Sequence, residues 1–446
     1  MPYQKGSRLP TERASKLGHL EVIQCPLVKK LCQNFEDPGY VPESSGALWK
    51  DLPKGGRELK IIFSSDGSLQ TIESPQPPYK AIAFVKTALL KLDQYAVSRL
   101  NKESPNPFAL RDMMERAALF HSTAFPLRHV LILGKTIYQT VREIIYESVK
   151  DTGLNNALDG AMMDTLKWIA YEKWSPKPRA QLEEFACPHC HQKGEKDVAT
   201  LPFDEEKGHC PKCNGEIFIT DLFSLHLSMQ EDYAPNQVAL DYMSVSETLM
   251  IFSPIRYYWE NNRETLRNCL MVKDGPLSLR ATLAKLSAPI RRFFKFAKEH
   301  GYDIAMIGQE KTGAFFEHLL LIGDSAPSRS IFIPDNSYIR NEIQHSNLIG
   351  IYGTDTNYGA KLFIKLDDYH RMVINVPTGE RGEFVENPSI SNLIAIDNIA
   401  ITLPSILSNR FEGALLPIEL ANGIASLSTY PSAKVLELFA EAVKKQ

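Results

Sequence analysis

Four cysteines stand in two close pairs, Cys187-Pro-His-Cys190 and Cys210-Pro-Lys-Cys213. Each pair has the spacing that places two thiolates on one tight turn, and the segment between the pairs is long enough for the two turns to converge. Sulfur ligands in this arrangement are typical of tetrahedral zinc. Because four protein ligands leave no open position, we expect a structural Zn²⁺ rather than a catalytic one.

Two aspartates share a second pattern that could do chemistry. Asp66 follows the apolar run Ile61-Ile62-Phe63 after two serines, and Asp274 follows Leu270-Met271-Val272-Lys273; glycine comes next in both cases. Each pattern predicts a carboxylate at the end of a buried strand, the place where α/β sheets bind ligands. Asp-Gly by itself is ordinary turn chemistry. It is the pair that predicts a shared site for divalent cations.

Such a carboxylate site suits the hydrolysis of phosphodiester bonds. Carboxylate oxygens are the ligands that Mg²⁺ and Mn²⁺ prefer. Two such ions about 4 Å apart can activate water and stabilise the leaving oxygen, and a third carboxylate would reduce the repulsion between them. Lys311 comes directly after an apolar segment and before Thr312-Gly313. It is either a cation that neutralises a phosphate or a solvated loop lysine.

The elements that must position these residues alternate along the chain, which predicts an α/β fold. Three- and four-residue apolar spacing over residues 106–173 predicts a helical insertion with a break at Pro126. We expect an arm and linker over residues 1–57, a main domain over 58–446, and an insertion over 100–230 that contains a zinc ribbon at 185–216. The predicted strands cover residues 59–63, 79–92, 269–272, 304–307, 318–322, 330–333, 361–366 and 372–376. The predicted helices cover residues 22–35, 238–261, 277–300, 392–408 and 432–445.

Composition limits the location and the partners of the protein. Its 446 residues include 50 basic and 53 acidic side chains, for a formal net charge of −3, so any nucleic-acid site must be local. No apolar run approaches the roughly 20 residues of a membrane span, and the start of the sequence has no apolar signal segment. Cysteines in metal-type pairs suit a reducing compartment. We therefore expect a cytoplasmic protein with no membrane association.

Six motifs, taken in order, resemble the NurA nuclease family, whose domain has a ribonuclease H-like fold. They are Asp66-Gly67-Ser68, Met243-Ser244-Val245-Ser246-Glu247, Lys273-Asp274-Gly275-Pro276-Leu277, Gly308-Gln309-Glu310-Lys311-Thr312-Gly313, Tyr352-Gly353-Thr354-Asp355 and Leu416-Pro417-Ile418-Glu419. The likeness runs from about residue 58 onward and is strongest to bacterial members with a zinc-ribbon insertion. It implies a mixed sheet flanked by helices and a Mn²⁺- or Mg²⁺-dependent nuclease acting on DNA ends and single strands. It also implies a homodimer and a HerA-type hexameric ATPase as partner, in DNA end processing or antiphage defence.

The resemblance also implies roles for individual residues. Asp66 would be the first metal ligand, Glu247 the ligand on a helix, and Asp274 the next. Glu260 and Glu264 remain alternatives to Glu247, because helix phase alone does not choose among them.

Near the carboxyl end, the family commonly has a metal-binding histidine where this chain presents Asn422, a weaker and uncharged ligand. His370 is an alternative ligand, although a lone histidine beside two aspartates usually belongs to a polar turn. This departure motivates a second hypothesis, a catalytically weakened DNA-binding or adaptor subunit of the same motor complex. An enzyme acting on RNA is a third, since the fold does not choose the substrate.

A predicted helix near residue 295 carries a mixture of basic and aromatic side chains. Arg291, Arg292, Lys295 and Lys298 are interleaved with phenylalanines. The mixture could follow a DNA backbone, but it is also what an amphipathic helix with a basic outer face and an aromatic core face looks like. We favour the amphipathic interpretation.

Overall fold

The structure is a computed structural model, and it divides into two units, residues 1–44 and 45–446. The described residues are 22–35, 48–74, 76–93, 118–151, 161–190, 199–280, 285–346, 350–379, 386–408, 413–427 and 432–443.

Among its described residues, the first unit contains the short helix α1 (Pro26–Gln33), inside the predicted helix at residues 22–35. Proline at its first turn suits a helix start, since that backbone nitrogen would have no partner in any case. None of its side chains is buried, and Leu27 and Leu31 are exposed.

The described residues of the second unit form a nine-stranded sheet and a separate two-stranded ribbon. The sheet order is β1-β9-β10-β11-β8-β7-β2-β3-β4, and β5 pairs with β6. The strands are β1 (Lys50–Asp51), β2 (Ile61–Glu73), β3 (Ala81–Asp93), β4 (Ala118–Arg128), β5 (Lys207–His209), β6 (Glu216–Phe218), β7 (Cys269–Asp274), β8 (Ala305–Glu310), β9 (Ser330–Phe332), β10 (Ala360–Lys365) and β11 (Arg371–Val376).

Five adjacent strands, β4-β3-β2-β7-β8, have the arrangement of a ribonuclease H-like sheet. The three strands β2, β3 and β4 form an antiparallel meander, and β7 and β8 then add in parallel on the other side of β2. Strands β11, β10 and β9 extend the sheet beyond β8 by antiparallel pairing. The predicted fold class, an α/β mixed sheet flanked by helices, is confirmed.

Helices cover both faces of the sheet. The longest, α4, comes between the meander and β7 and packs on β2 and β3. The α-helices of this unit are α2 (Ile137–Lys150), α3 (Ala161–Ala170), α4 (Asn236–Asn261), α5 (Arg263–Leu266), α6 (Ser287–Glu299), α7 (Ala314–Ile322), α8 (Asn336–Tyr338), α9 (Ile396–Thr402), α10 (Leu416–Ala425) and α11 (Ser432–Val443). In the part of the chain that the structure describes, no helix is both long and apolar enough to span a membrane.

Alternation along β7 shows how the sheet separates two cores. Cys269 and Met271 belong to a cluster that includes residues of α4 and α6, whereas Leu270 and Val272 belong to a cluster that includes residues of α9 and α10. Successive side chains of a strand point to opposite faces, so the two sets mark the two sides of the sheet. We call these sides the α4 face and the α10 face.

Two sequence predictions of element type were wrong. Residues 118–128 form strand β4, not a helix, and pair with β3 along their whole length. Pro126 is tolerated there because β4 is an edge strand and its register shifts near the proline. Residues 318–322, predicted as a strand, lie in helix α7, which follows Gly313 at φ +90°. A short apolar run has no periodicity that separates a buried strand from a helix.

The structure also differs from the predicted linker that ends at residue 57. Trp49 and Leu52 are buried in the second unit, and β1 pairs with β9. These residues belong to the edge of the sheet formed by β1. They are ordered there because the two apolar side chains are buried, although the surrounding stretch is rich in proline and glycine.

The insertion between β4 and α4 is tied together by a buried ion pair. The Arg142 side chain on α2 donates two hydrogen bonds to Asp221, from Nε to Oδ1 at 2.9 Å and from Nη2 to Oδ2 at 2.8 Å. The two side chains are only 6% and 3% exposed. Asp221 also accepts from the Phe218 backbone amide, so the pair connects α2 to the end of the ribbon.

We expect Arg142→Met to destabilise the second unit by about 3–5 kcal/mol, because it leaves the Asp221 charge buried without its partner. Urea denaturation followed by tryptophan fluorescence measures this. The double variant Arg142→Met/Asp221→Asn should recover part of the loss, since no uncompensated charge remains. A single variant as stable as the parent protein would show that the pair does not hold the insertion.

Candidate active site and zinc site

Asp66 and Asp274 lie side by side on neighbouring strands. The parallel pairing of β2 with β7 ends at Ser65 opposite Lys273, so the next residue on each strand is an aspartate. Paired strands are about 4.8 Å apart, and residues in register point to the same face. Both carboxylates therefore stand on the α10 face at the edge where β7 ends.

Asp66 does not end its strand, contrary to the sequence prediction. Strand β2 continues to Glu73 because β3 pairs with it along its whole length. Only β7 ends here, at Asp274, and Gly275 then adopts φ +79°, a conformation that favours glycine. At position 67, glycine is required for a different reason, because there is no room for a side chain. A Cβ at this position would lie 2.6 Å from Glu247 Oε1.

Asp66 is a buried carboxylate with other carboxylates around it. Its side chain is 2% exposed, and Oδ1 accepts a hydrogen bond from the Gly67 amide at 2.8 Å. Oδ2 is buried and has no hydrogen-bond partner among the described residues. Burial, followed by the charges of Asp274 and Glu247, raises the pKa of Asp66 to about 7. The side-chain amide of Asn422 and the positive charge of Lys311 lower that pKa and so offset part of the shift. The five residues predicted for the site thus lie close enough to influence one another.

Glu247 approaches this cluster from α4 and is buried. Burial raises the pKa of Glu247, and Lys273 and the Gly67 amide oppose that shift. The alternatives have other contacts: Glu260 pairs with Arg256, and Glu264 pairs with Arg267. Of the three glutamates that the sequence left open, Glu247 is the one that acts on Asp66.

Lys273 was not assigned a role from the sequence. Its Nζ lies 3.1 Å from Glu247 Oε2 and donates to the Asp274 carbonyl oxygen at 2.9 Å, and the side chain is only 3% exposed. Burial lowers the pKa of Lys273, but Glu247, Tyr358 and Asp274 outweigh it and leave the pKa raised. The signal in the sequence was a lysine within the apolar strand 269–274, where a charge needs a buried partner.

Lys311 and Asn422 form the open side of the site. Lys311 Nζ lies 2.8 Å from Asp274 Oδ1, and its side chain is 40% exposed. Asn422 is exposed on α10. A cavity of about 330 Å³ adjoins them, with Phe316 and Glu419 also in its wall. Solvent, a metal ion or a substrate can therefore reach this edge.

The donor atoms fit a hard divalent cation. Asp66 Oδ2 is an unpartnered buried oxygen, and Asp274 beside it is paired with an exposed lysine that a metal ion can displace. Carboxylate oxygens are ligands for Mg²⁺ and Mn²⁺, and an amide oxygen such as that of Asn422 is a weaker one. A bound cation would offset the repulsion that raises the pKa of Asp66.

His370 and the basic helix have other contacts. His370 Nδ1 lies 2.8 Å from Asp367 Oδ2 within the turn between β10 and β11, as expected for a polar turn. On α6, Arg291 donates to the carbonyl oxygens of Thr354 and Asn357, and Arg292 pairs with Glu172. Both arginine side chains make contacts with other parts of the chain, which favours the amphipathic interpretation of that helix.

The four paired cysteines converge as predicted. Their sulfur atoms all lie within 4.8 Å of one another. The distance between sulfur atoms is 3.8 Å for Cys187 and Cys213 and 3.8 Å for Cys190 and Cys210. A zinc ion with four sulfurs at about 2.3 Å in a tetrahedron requires sulfur atoms about 3.8 Å apart. The cluster therefore has the dimensions of an S₄ zinc site.

The zinc ribbon is joined to the rest of the insertion rather than projecting from it. The Tyr138 hydroxyl on α2 donates to the Pro188 carbonyl oxygen at 2.9 Å, and His189 Nε2 lies 2.8 Å from the Glu216 carbonyl oxygen. Cys187, Cys190 and Cys210 are buried within the core cluster of the α4 face. These contacts are typical of a structural metal site that stabilises the insertion.

No family model matches the chain, and no curated protein matches its sequence. Among solved structures, the NurA nuclease from Sulfolobus solfataricus is 10% identical over 96% of each chain, with a TM-score of 0.33. A crystal structure of NurA is 11% identical over 97% of this chain and 98% of its own, with a TM-score of 0.27.

A crystal structure of NurA with manganese is 12% identical over 95% of this chain and 98% of its own, with a TM-score of 0.23. The chain is similar to NurA nucleases. Because these structures are at most 12% identical to the chain, the roles of the site residues are inferred from this chain's own side chains.

We expect the purified protein to contain about one zinc per chain, since four thiolates complete a single tetrahedral site. Cys210→Ser should remove the metal and lower the temperature of unfolding, because the ribbon loses the ion that joins its two turns. Metal analysis and thermal unfolding measure both effects. Cys32→Ser, an identical change at an exposed cysteine of the first unit, is the control. If Cys210→Ser keeps its zinc, the proposed ligand set is wrong.

In metal-free protein, we expect thermal stability to fall as pH rises through about 7. The pKa of Asp66 is raised from 3.8 to about 7 on folding, so the folded protein binds this proton more tightly than the unfolded chain. The resulting stability is complete below about 4 and is lost as pH rises through about 7. Unfolding temperatures measured across this range test the prediction.

Asp66→Asn should flatten this decline, whereas Asp51→Asn, at a side chain that is 90% exposed, should leave it unchanged. Added Mn²⁺ should also reduce the decline, because a cation favours the ionised carboxylate. An undiminished decline in Asp66→Asn would assign the effect to another group.

Proposed function

We propose that this chain is a metal-dependent nuclease that hydrolyses phosphodiester bonds in DNA. The observation that carries the proposal is that Asp66 lies beside Asp274 at the end of β7, and that one buried oxygen of Asp66 has no hydrogen-bond partner among the described residues. Buried charges without partners are costly. A site that retains one among other carboxylates is best explained by a cation that binds there.

The chain's own residues would have separate tasks in this reaction. Asp66 and Asp274 would hold the metal, Glu247 adds negative charge from α4, and Asn422 offers an amide oxygen at the rim. Lys311 is exposed and already pairs with a carboxylate, so it can turn to neutralise a phosphate. A bound Mn²⁺ or Mg²⁺ would supply Lewis-acid stabilisation of the charge that develops on the phosphate.

The substrate and the partners in this proposal follow from the motif resemblance. They are DNA ends and single strands, a second copy of the chain, and a HerA-type hexameric ATPase, with a role in DNA end processing or antiphage defence in the cytoplasm. The net charge of −3 is consistent with a local rather than a global nucleic-acid surface. Co-purification with such an ATPase, and the mass of the free protein in solution, test these partners directly.

We expect the wild type to degrade linear DNA with Mn²⁺, and Asp274→Asn or Asp66→Asn to reduce the rate about 10³-fold or more. A bound metal ion would lower the activation barrier by several kcal/mol, and each 1.36 kcal/mol changes the rate about tenfold. Initial rates on labelled DNA measure this. Glu260→Gln is a matched control for Glu247→Gln, because both glutamates lie on α4 but Glu260 is on the exposed surface with Arg256. Only Glu247→Gln should impair cleavage.

Three outcomes separate this proposal from its alternatives. If the wild type and Asp274→Asn both leave DNA intact with the ATPase present, the adaptor hypothesis is favoured. Faster cleavage of RNA or of an RNA–DNA hybrid would assign a different substrate. Equal rates for the wild type and both aspartate variants would place the activity elsewhere and contradict the proposal.

A further inference from the structure

Two lysines accompany the three carboxylates of the candidate site, and their environments differ sharply. Lys311 is 40% exposed and pairs with Asp274 from the open side. Lys273 is only 3% exposed and pairs with Glu247, which is 9% exposed at its side chain. An exposed lysine can leave its partner when another cation arrives. A buried one cannot leave without abandoning a buried carboxylate.

The sheet separates these groups onto two faces. In β7, Lys273 alternates with Asp274, so Lys273 stands on the α4 face and Asp274 on the α10 face. In β2, Gly67 stands on the α4 face, directly against Glu247, and Asp66 stands on the α10 face. Glu247 and Lys273 thus meet on one face of the sheet at the end of β7, while the two aspartates lie on the other face.

One oxygen of Glu247 is already engaged by the protein. Oε2 lies 3.1 Å from Lys273 Nζ. Oε1 lies beside Gly67, where an added Cβ would be only 2.6 Å from it. Asp66 differs, because its Oδ2 has no partner among the residues described.

The distances between ligand atoms agree with this division. Within the described ranges, the four cysteines are the only set of three or more potential ligands whose donor atoms all lie within 4.8 Å of one another. Asp66, Glu247 and Asp274 do not form such a set among these residues. Glu247 is instead paired with Lys273.

We propose that Lys273 is the resident cation of this site: its ammonium holds Glu247 in place of a second metal ion, and the protein binds one divalent ion at Asp66 and Asp274. This inference rests on the proposed function. It makes Lys273 a positioning residue and Glu247 its partner, rather than a metal ligand. It also replaces the two-ion arrangement expected from the sequence.

The test is the stoichiometry and the magnetic state of bound Mn²⁺, which do not depend on turnover. Protein with its zinc site filled is titrated with Mn²⁺ by calorimetry and by electron paramagnetic resonance. We expect one tight Mn²⁺ per chain with the six-line spectrum of an isolated ion. Two tightly bound, exchange-coupled ions in the wild type would overturn the inference and leave the nuclease proposal intact. No Mn²⁺ binding at any tested concentration would contradict the proposed function itself.

Variants of the buried pair make the test specific. In Lys273→Met, Glu247 loses its cation and the site gains negative charge, so we expect a second Mn²⁺ to bind and the spectrum to show coupling. Lys273→Arg keeps the charge and should still bind one ion. A Lys273→Met protein that folds and binds a single ion as the wild type does would overturn the inference.

The double variant Glu247→Gln/Lys273→Met covers the case in which Lys273→Met does not fold. It replaces the ion pair by uncharged side chains, a change that folded proteins often tolerate. We expect it to bind one Mn²⁺ with a Kd within about threefold of the wild type, since the difference in free energy is then under about 0.7 kcal/mol. A loss of tenfold or more would show that Glu247 is a ligand and would overturn the inference.

Discussion

The parallel pairing of β2 with β7 is the constraint on which the rest of the candidate site depends. Its register places Ser65 opposite Lys273, and therefore Asp66 beside Asp274. A shift of one residue would send one carboxylate to the opposite face of the sheet. The register is secured by residues on both sides of the strands, since β7 contributes to the core of the α4 face and to that of the α10 face.

This pairing concentrates negative charge where little water is available to solvate it. Burial and the neighbouring carboxylates raise the pKa of Asp66 to about 7. Two cations reduce the cost in different ways: Lys273 is fixed beneath the site with Glu247, and Lys311 covers Asp274 from solvent. Among the described residues, Asp66 Oδ2 has no hydrogen-bond partner, which is the physical basis for proposing a metal ion at this edge.

The ribbon that carries the four cysteines is stabilised by different interactions. Its strands are only three residues long, so backbone pairing contributes little to their stability. The four converging cysteines bring its two turns together, and the buried pair of Arg142 with Asp221 connects the end of the ribbon to α2. A closed S₄ site of this kind stabilises structure and leaves no position for a substrate, so the cysteine site and the proposed metal site at Asp66 and Asp274 would have separate roles.

The sequence by itself determined the features that depend on local spacing. These include the cysteine pairs, the apolar strands before Asp66 and Asp274, and the long helix before β7, because ligand spacing and hydrophobic periodicity are written in neighbouring residues. Only the tertiary structure decided which glutamate on or near that helix faces the site, that Lys273 is its partner, and that residues 118–128 form an edge strand. These outcomes depend on which surfaces meet across the sheet, and contacts between residues far apart in sequence leave no local periodicity from which they could be predicted.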